Sequence, residues 1–183
     1  AIANGLEPLS KIIFEFSDID VYKEAEKYLN DKVLTVDDAI MGAKYIIAEN
    51  ISDDAKIRKS IRDNTYNYGV IKSKIKKNAV DENKVYDMYY DYQERVKFIK
   101  PHRILALNRG ENEGVLSVSI DNDRDRVIEY INKRTIKNDK SFVVDTVKEA
   151  IEDSYKRLIE PSIEREIRSD LTEIGEAAAI DNF

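Results

Sequence analysis

Cysteine is absent from this sequence and histidine occurs once, at His102. The first absence excludes disulfide staples, thiol nucleophiles and thiolate metal ligands. The second excludes any metal or catalytic centre that needs two imidazoles. Only 6 glycines and 3 prolines occur, too few for the many tight turns of an all-β sandwich. No apolar run approaches the roughly 18 to 20 residues of a membrane span, and no charged segment leads into a secretory apolar stretch. The expected compartment is therefore the reducing cytoplasm, with no membrane partner. Neither a Gly-x-Gly-x-x-Gly pattern nor a phosphate loop is found, and no cofactor is expected.

What is present is apolar material for a core and an unusual density of charge. The 183 residues are 42% hydrophobic and 36% charged, enough for one domain or a compact pair of subdomains. Mean hydropathy is -0.53. A net charge of -6 would ordinarily argue against contact with nucleic acid. The distribution weakens that inference. Residues 56–77 hold 8 basic side chains against Asp63 alone, and residues 95–109 hold Arg95, Lys97, Lys100, Arg103 and Arg109 with no acid. Such stretches are ordinarily solvated helix faces, scattered after folding. If they share a face they form a phosphate-facing patch on an acidic body.

Apolar periodicity predicts a mainly α fold. Leu6, Leu9, Ile12, Ile13 and Phe16 open the pattern. Asp18 or Asp20 can cap a helix through Tyr22, Ala25 and Leu29. Thr35 with Asp38 resembles a capping box ahead of Ala39, Ala43, Ile46, Ile47 and Ile51. Ser52, Asp53 and Asp54 start a fourth helix, and their negative charge suits its dipole. From Val70 to Lys76 the alternation fits a strand, whereas the Ile71 and Ile75 pair fits a helix equally well; helix is the reading adopted. Pro101 suits the first turn of a helix ending near Gly110. Residues 115–120, where Val, Leu or Ile alternates with Ser, are read as a strand, and at most one or two short strands are expected. A long amphipathic helical segment closes the chain, with a kink or break beside Pro161. Domain limits are expected at 1–121, a helical module, and 122–183, a helical segment leading onward.

Several apparent motifs fail on chemistry. Asp121 to Asp125 begins like a calcium loop, but Arg126 and Asn132 stand where the loop needs Gly and Glu. Ser73-Lys74-Ile75-Lys76 lacks the companion motifs of serine acyl transfer. Asn50-Ile51-Ser52 is a glycosylation acceptor only in a secreted chain. Scattered carboxylates do not make an acid–base pair. No metal site is expected, and the chain reads as a non-enzyme. His102 reads first as a local hydrogen-bonding group and second as a phosphate contact.

The run Pro101-His102-Arg103-Ile104-Leu105-Ala106-Leu107-Asn108-Arg109-Gly110-Glu111-Asn112-Glu113-Gly114-Val115-Leu116 resembles the central signature of the Tex family of bacterial transcription accessory proteins. Gly5-Leu6-Glu7-Pro8-Leu9, Ile51-Ser52-Asp53-Asp54-Ala55, Tyr89-Tyr90-Asp91-Tyr92 and the ending Glu176 to Phe183 fall in the same order as in that family, with Tyr90 where it has Phe. The resemblance implies an N-terminal helical part of a protein several times longer. The RNase H-like, helix-hairpin-helix and OB-fold RNA-binding domains of such a protein would lie outside this chain. Leu171, Ile174 and Phe183 are then expected to be exposed, as at a truncated interface.

Two functions follow as expectations. The first is a helical module associated with nucleic acid, RNA or DNA, and with transcription. Its candidate contacts are Lys72, Lys74, Lys76, Lys77, Lys100, His102, Arg103 and Arg109, with Tyr86 to Tyr92 as possible stacking partners. The second is a scaffold that docks proteins such as the transcription machinery and makes no direct nucleic-acid contact. Against these functional roles, Arg103 and Arg109 could instead pair with Glu111 or Glu113, and the tyrosines could pack in the interior or half-buried with wet hydroxyls.

Overall fold

A computed structural model describes residues 4–16 and 18–181. The chain divides into two compact units, residues 1–58 with 124–161, and residues 59–123 with 162–183.

The first unit is helical. Helix α1 (Glu7–Phe14) has Pro8 in its first turn, where the missing N–H costs nothing. Helix α2 (Val21–Ala25) is capped by the Asp20 carboxylate, which accepts from the Tyr22 and Lys23 N–H groups. Thr35 caps α3 (Val36–Ser52) through the Asp38 N–H, and Asp54 accepts from the Lys56 and Ile57 N–H groups at the start of α4 (Ala55–Tyr68). Three of the four expected helix starts, those of α2, α3 and α4, are thus explained by side-chain caps, whereas α1 has no side-chain cap. Helix α3 is the core element: Ala43, Ile46, Ile47 and Ile51 are buried. They pack with α1, α2 and α7 (Val144–Asp153), and α6 (Arg124–Thr135) packs on α7.

Pro161 does not break the last helix. A six-residue π-helical stretch, Ser154–Ile159, joins α7 directly to α8 (Glu160–Asp181). Proline lacks an N–H and its ring crowds the carbonyl four residues earlier. Here that carbonyl belongs to Arg157, inside the widened turn, so the ladder loosens and continues. Ser154, fully buried, donates its hydroxyl to the Ala48 carbonyl on α3 at 2.6 Å.

The second unit contains a three-stranded antiparallel sheet of order β2-β1-β3. Strand β1 is Val70–Ile75, β2 is Asp91–Arg95 and β3 is Leu116–Asp121. The 115–120 expectation holds. Two other expectations do not: residues 70–75 are a strand and not a helix, and the described residues contain three strands where at most two are expected. Ile71 stands opposite Ile120, and Ser73 opposite Val118, on the buried face. Two-sided pairing decides a segment that periodicity left balanced.

Helix α5 (Pro101–Asn112) packs against β3. It runs past Gly110, which is not an exit residue. A Cβ there would lie 2.4 Å from Leu116 Cδ1 and 2.8 Å from its Cγ. Gly114, at φ +76°, makes the turn into β3. Helix α8 is tied to α5 by Arg168, which donates to Glu111 Oε1 at 2.8 Å and Asn108 Oδ1 at 2.9 Å. Asn108 in turn donates to the Thr172 hydroxyl. Glu164 accepts from the Ile120 N–H at 3.2 Å on edge strand β3. Ile174 is 45% exposed as expected, but Leu171 is 2% exposed, buried within its unit. Phe183 lies outside the described residues.

Gly110→Ala should destabilise the chain by about 1–3 kcal/mol, since Leu116 is fully buried and has no room to retreat. Urea denaturation of the variant checks this; an unchanged midpoint would show that the close approach is not a constraint.

Candidate nucleic-acid interface

The outer face of the sheet carries the odd-registered partners of the buried set. Lys72 stands between Gln93 and Ser119, Lys74 between Asp91 and Ser117, and Val70 between Arg95 and Asp121. Strand alternation forces these side chains to the side opposite Ile71 and Ser73. Arg95 therefore joins Lys72 and Lys74 on one surface. Its guanidinium donates to the Asn67 carbonyl at 2.6 Å. The same group lies 5.0 Å from the Phe98 ring centroid and 5.9 Å from that of Tyr68. Both rings are more than half exposed. The result is a cation held among open aromatic faces, a geometry suited to stacking on a base or an apolar side chain.

Charge on this face is partly neutralised. Lys72 Nζ is 2.7 Å from Asp121 Oδ2, and Lys74 faces Asp91 across the β1–β2 pair. Lys76 and Lys77 lie in the turn after β1, both exposed, with the Lys76 N–H donating to the Val115 carbonyl.

The other candidates fall elsewhere. Lys100 is the exposed residue before α5, and His102 is exposed in its first turn. Arg103 belongs to the inner side of the sheet. Its Nη1 donates to the Tyr92 hydroxyl at 3.1 Å and lies 3.6 Å from Glu94 Oε2. The Arg103 Nε is buried without a hydrogen-bond partner among the described residues. The structural arginine–carboxylate pair expected of Arg103 is present, but the partner is Glu94 and not Glu111 or Glu113. Glu111 is bound by Arg168, and Glu113 accepts from Tyr86. Arg109 is exposed. Of the eight candidates, Lys72 and Lys74 share the outer sheet face, while Arg103 is committed inside. Within the first basic stretch, Arg62 is also committed, to Asp170 at 2.5 Å.

The tyrosine cluster is structural. Tyr86 and Tyr89 are buried, Tyr90 and Tyr92 half-buried. Tyr89 and Tyr92 meet edge to face, 5.3 Å between centroids. The Tyr89 carbonyl accepts from the buried Ser73 hydroxyl at 2.7 Å. Three of the four hydroxyls are not left to water: Tyr86 donates to Glu113 Oε2 at 2.7 Å, Tyr90 to Asp81 Oδ2 at 2.8 Å, and Tyr92 to Glu94. Asp81 organises the loop, accepting also from the Val85 and Tyr86 N–H groups. The Tyr86 N–H, together with the Tyr90 hydroxyl and Val85 N–H, holds the Asp81 carboxyl below its usual range against some desolvation. Burial, then the hydrogen bond to Glu113 and its charge, pushes the Tyr86 phenol up to about 12, with Arg109 opposing.

On this sheet face the open rings are Tyr68 and Phe98, which are not among the sequence candidates. Nothing in their local pattern singled them out; only the register Val70↔Arg95 brings the guanidinium between them. No group of three or more His, Cys, Asp or Glu suited to a metal is found among the described residues, and none of their helices is long and apolar enough to cross a membrane.

Residues 17–183 match a family model described as Tex central region-like. The chain belongs to the Tex family. In that description the segment is a central one, whereas the resemblance was read as an N-terminal helical part. Over 187 aligned residues it is 46% identical to the Bacillus subtilis protein called uncharacterized protein YdcI, covering 100% of this chain and 26% of that protein. It is 32% identical over 117 residues to the transcriptional accessory protein Tex of Neisseria gonorrhoeae, covering 64% of this chain and 16% of the relative. A third relative, S1 RNA-binding domain-containing protein 1 of Pongo abelii, is 33% identical over 162 residues, 81% of this chain and 16% of that protein. This Tex-family chain therefore spans about a quarter or less of the relatives it matches.

Spectrophotometric titration should show a phenol that stays protonated until pH approaches about 12, and Tyr86→Phe should remove that late step. Because the folded-state value lies above the ordinary value near 10, the associated stability is full below about pH 10 and lost as pH rises towards 12. Equal alkaline stability profiles for wild type and Tyr86→Phe would contradict it.

Proposed function

We propose that this chain is a non-enzymatic module of a Tex-type transcription accessory protein of the cytoplasm, working in association with nucleic acid. The observation that carries the reading is the outer sheet face, where Lys72, Lys74 and Arg95 stand with the exposed rings of Tyr68 and Phe98. Ammonium groups and a guanidinium suit phosphates, and open rings suit unstacked bases. Two relatives are named for a transcriptional accessory role and for an RNA-binding domain, which supports the same direction. The face is small and contains Asp91 and Asp121, so the principal nucleic-acid contacts of the parent protein are assigned to segments outside this chain.

A second reading rests on the ion pairs Lys72–Asp121 and Arg103–Glu94, which consume basic groups internally. It makes the chain a scaffold for the flanking domains and for transcription-machinery proteins. The same experiment separates the two.

Binding of single-stranded RNA and duplex DNA is measured across a salt series. Two or three phosphates contacted on a duplex give a log–log salt slope of roughly -2 to -3. Lys72→Glu with Lys74→Glu should weaken binding at least tenfold, and Lys148→Glu, in the other unit, should not. Absence of binding at low salt would remove the first reading and leave the scaffold.

A further inference from the structure

The first unit contains a groove that the nucleic-acid reading does not use. Its volume is about 600 Å³. The segment before α2 supplies Asp18, Ile19 and Asp20, and α3 supplies Ile40 and Lys44. The start of α7 adds Asp145, Thr146 and Glu149, one turn apart along one helix face. Tyr22 and Phe142 stand at the groove, 62% and 75% exposed, above an apolar floor that includes buried Val21 and Ile40.

Its charge is strongly one-sided. Four carboxylates line it against one ammonium, Lys44, and that ammonium is already held by Glu149 at 2.6 Å. Asp20 is occupied with capping α2, but its charge remains. The carboxylates are not gathered as a metal site, since no such group occurs among the described residues. They are spread along the groove, so what complements them is a row of separated cations. An exposed phenylalanine and tyrosine flanking an apolar floor call for aliphatic or aromatic anchors between those cations.

We propose that this groove is a docking site for a basic, amphipathic peptide segment of a partner protein, whose apolar anchors seat between Tyr22 and Phe142 and whose Lys or Arg side chains meet Asp18 and Asp145. Charge complementarity selects this occupant: a nucleic acid is repelled by the groove, and an acidic peptide is repelled equally. The inference is independent of the outer sheet face, which lies in the other unit.

The test uses the chain with three synthetic 14-residue probes: a leucine–lysine peptide patterned as an amphipathic helix, the same pattern with glutamate for lysine, and a serine–lysine peptide of equal charge. Only the leucine–lysine peptide should bind, shifting the backbone amide signals of Tyr22, Thr146 and their neighbours. Asp145→Asn and Phe142→Ser should each weaken it at least tenfold, whereas Glu173→Gln, an exposed change of equal charge in the other unit, should leave it unchanged. Asp145 and Phe142 are exposed, so these variants should keep the wild-type circular dichroism spectrum. Equal binding of the serine–lysine peptide, no binding of the leucine–lysine peptide, or indifference to both groove variants would overturn the proposal. Concentration-dependent self-association lost in Asp145→Asn would also overturn it, because the occupant would then be a second copy.

Discussion

A strand with hydrogen-bonded neighbours on both edges commits every residue of three segments to one side or the other. Strand β1 is such a strand. Once Ile71 and Ser73 face inward, Lys72 and Lys74 must face outward, and the register carries the rule to β2 and β3. Tyr92 and Glu94 then fall on the inner side, where they receive Arg103, and Arg95 falls on the outer side among Tyr68 and Phe98. The division of the basic residues into structural and available ones is a consequence of this pairing. A slip of one residue would exchange the two sets.

The buried polar groups around the sheet show how a densely charged chain supports a core. Ser73 gives its hydroxyl to the Tyr89 carbonyl, Asp81 gathers two N–H groups and a phenol, and Arg168 bridges Asn108 and Glu111. The Ser73 bond spares a buried hydroxyl the cost of lost hydration, which exceeds the net gain of an ordinary hydrogen bond, and the others tie half-buried groups together. The same economy explains why the conspicuous tyrosine cluster is unsuited to stacking on a ligand. The Tyr86 ring lies beside Gly110, and the hydroxyls of Tyr86, Tyr90 and Tyr92 are bound to carboxylates.

In the helical unit the governing constraint is the proline that the final helix contains. A π-helical turn absorbs Pro161, and the Ser154 hydroxyl on that turn satisfies a carbonyl of α3. The widened turn is therefore part of the packing, since Ser154, Tyr155 and Ile159 are all buried. Acidic side chains on the exposed side of α7, with none needed for the core, leave the groove by Phe142 open to a cationic partner.

The helix starts were legible in the sequence because their causes are local: Asp20, Thr35 and Asp54 each accept N–H groups two or three residues onward. The strand at 115–120 was legible because Ser alternates with Val, Leu or Ile at a period that only a half-buried strand satisfies. The family was legible because a long ordered run of residues carries it. Tertiary structure alone decided the rest. Whether Val70 to Ile75 is strand or helix depends on partners some 20 and 45 residues away. Whether Arg103 meets a phosphate or Glu94, and whether Tyr68 or Tyr86 offers an open ring, depends on which faces those pairings bury. A local pattern specifies which residues prefer to be apolar neighbours; the side on which a charge emerges is set by hydrogen bonds between segments distant in sequence.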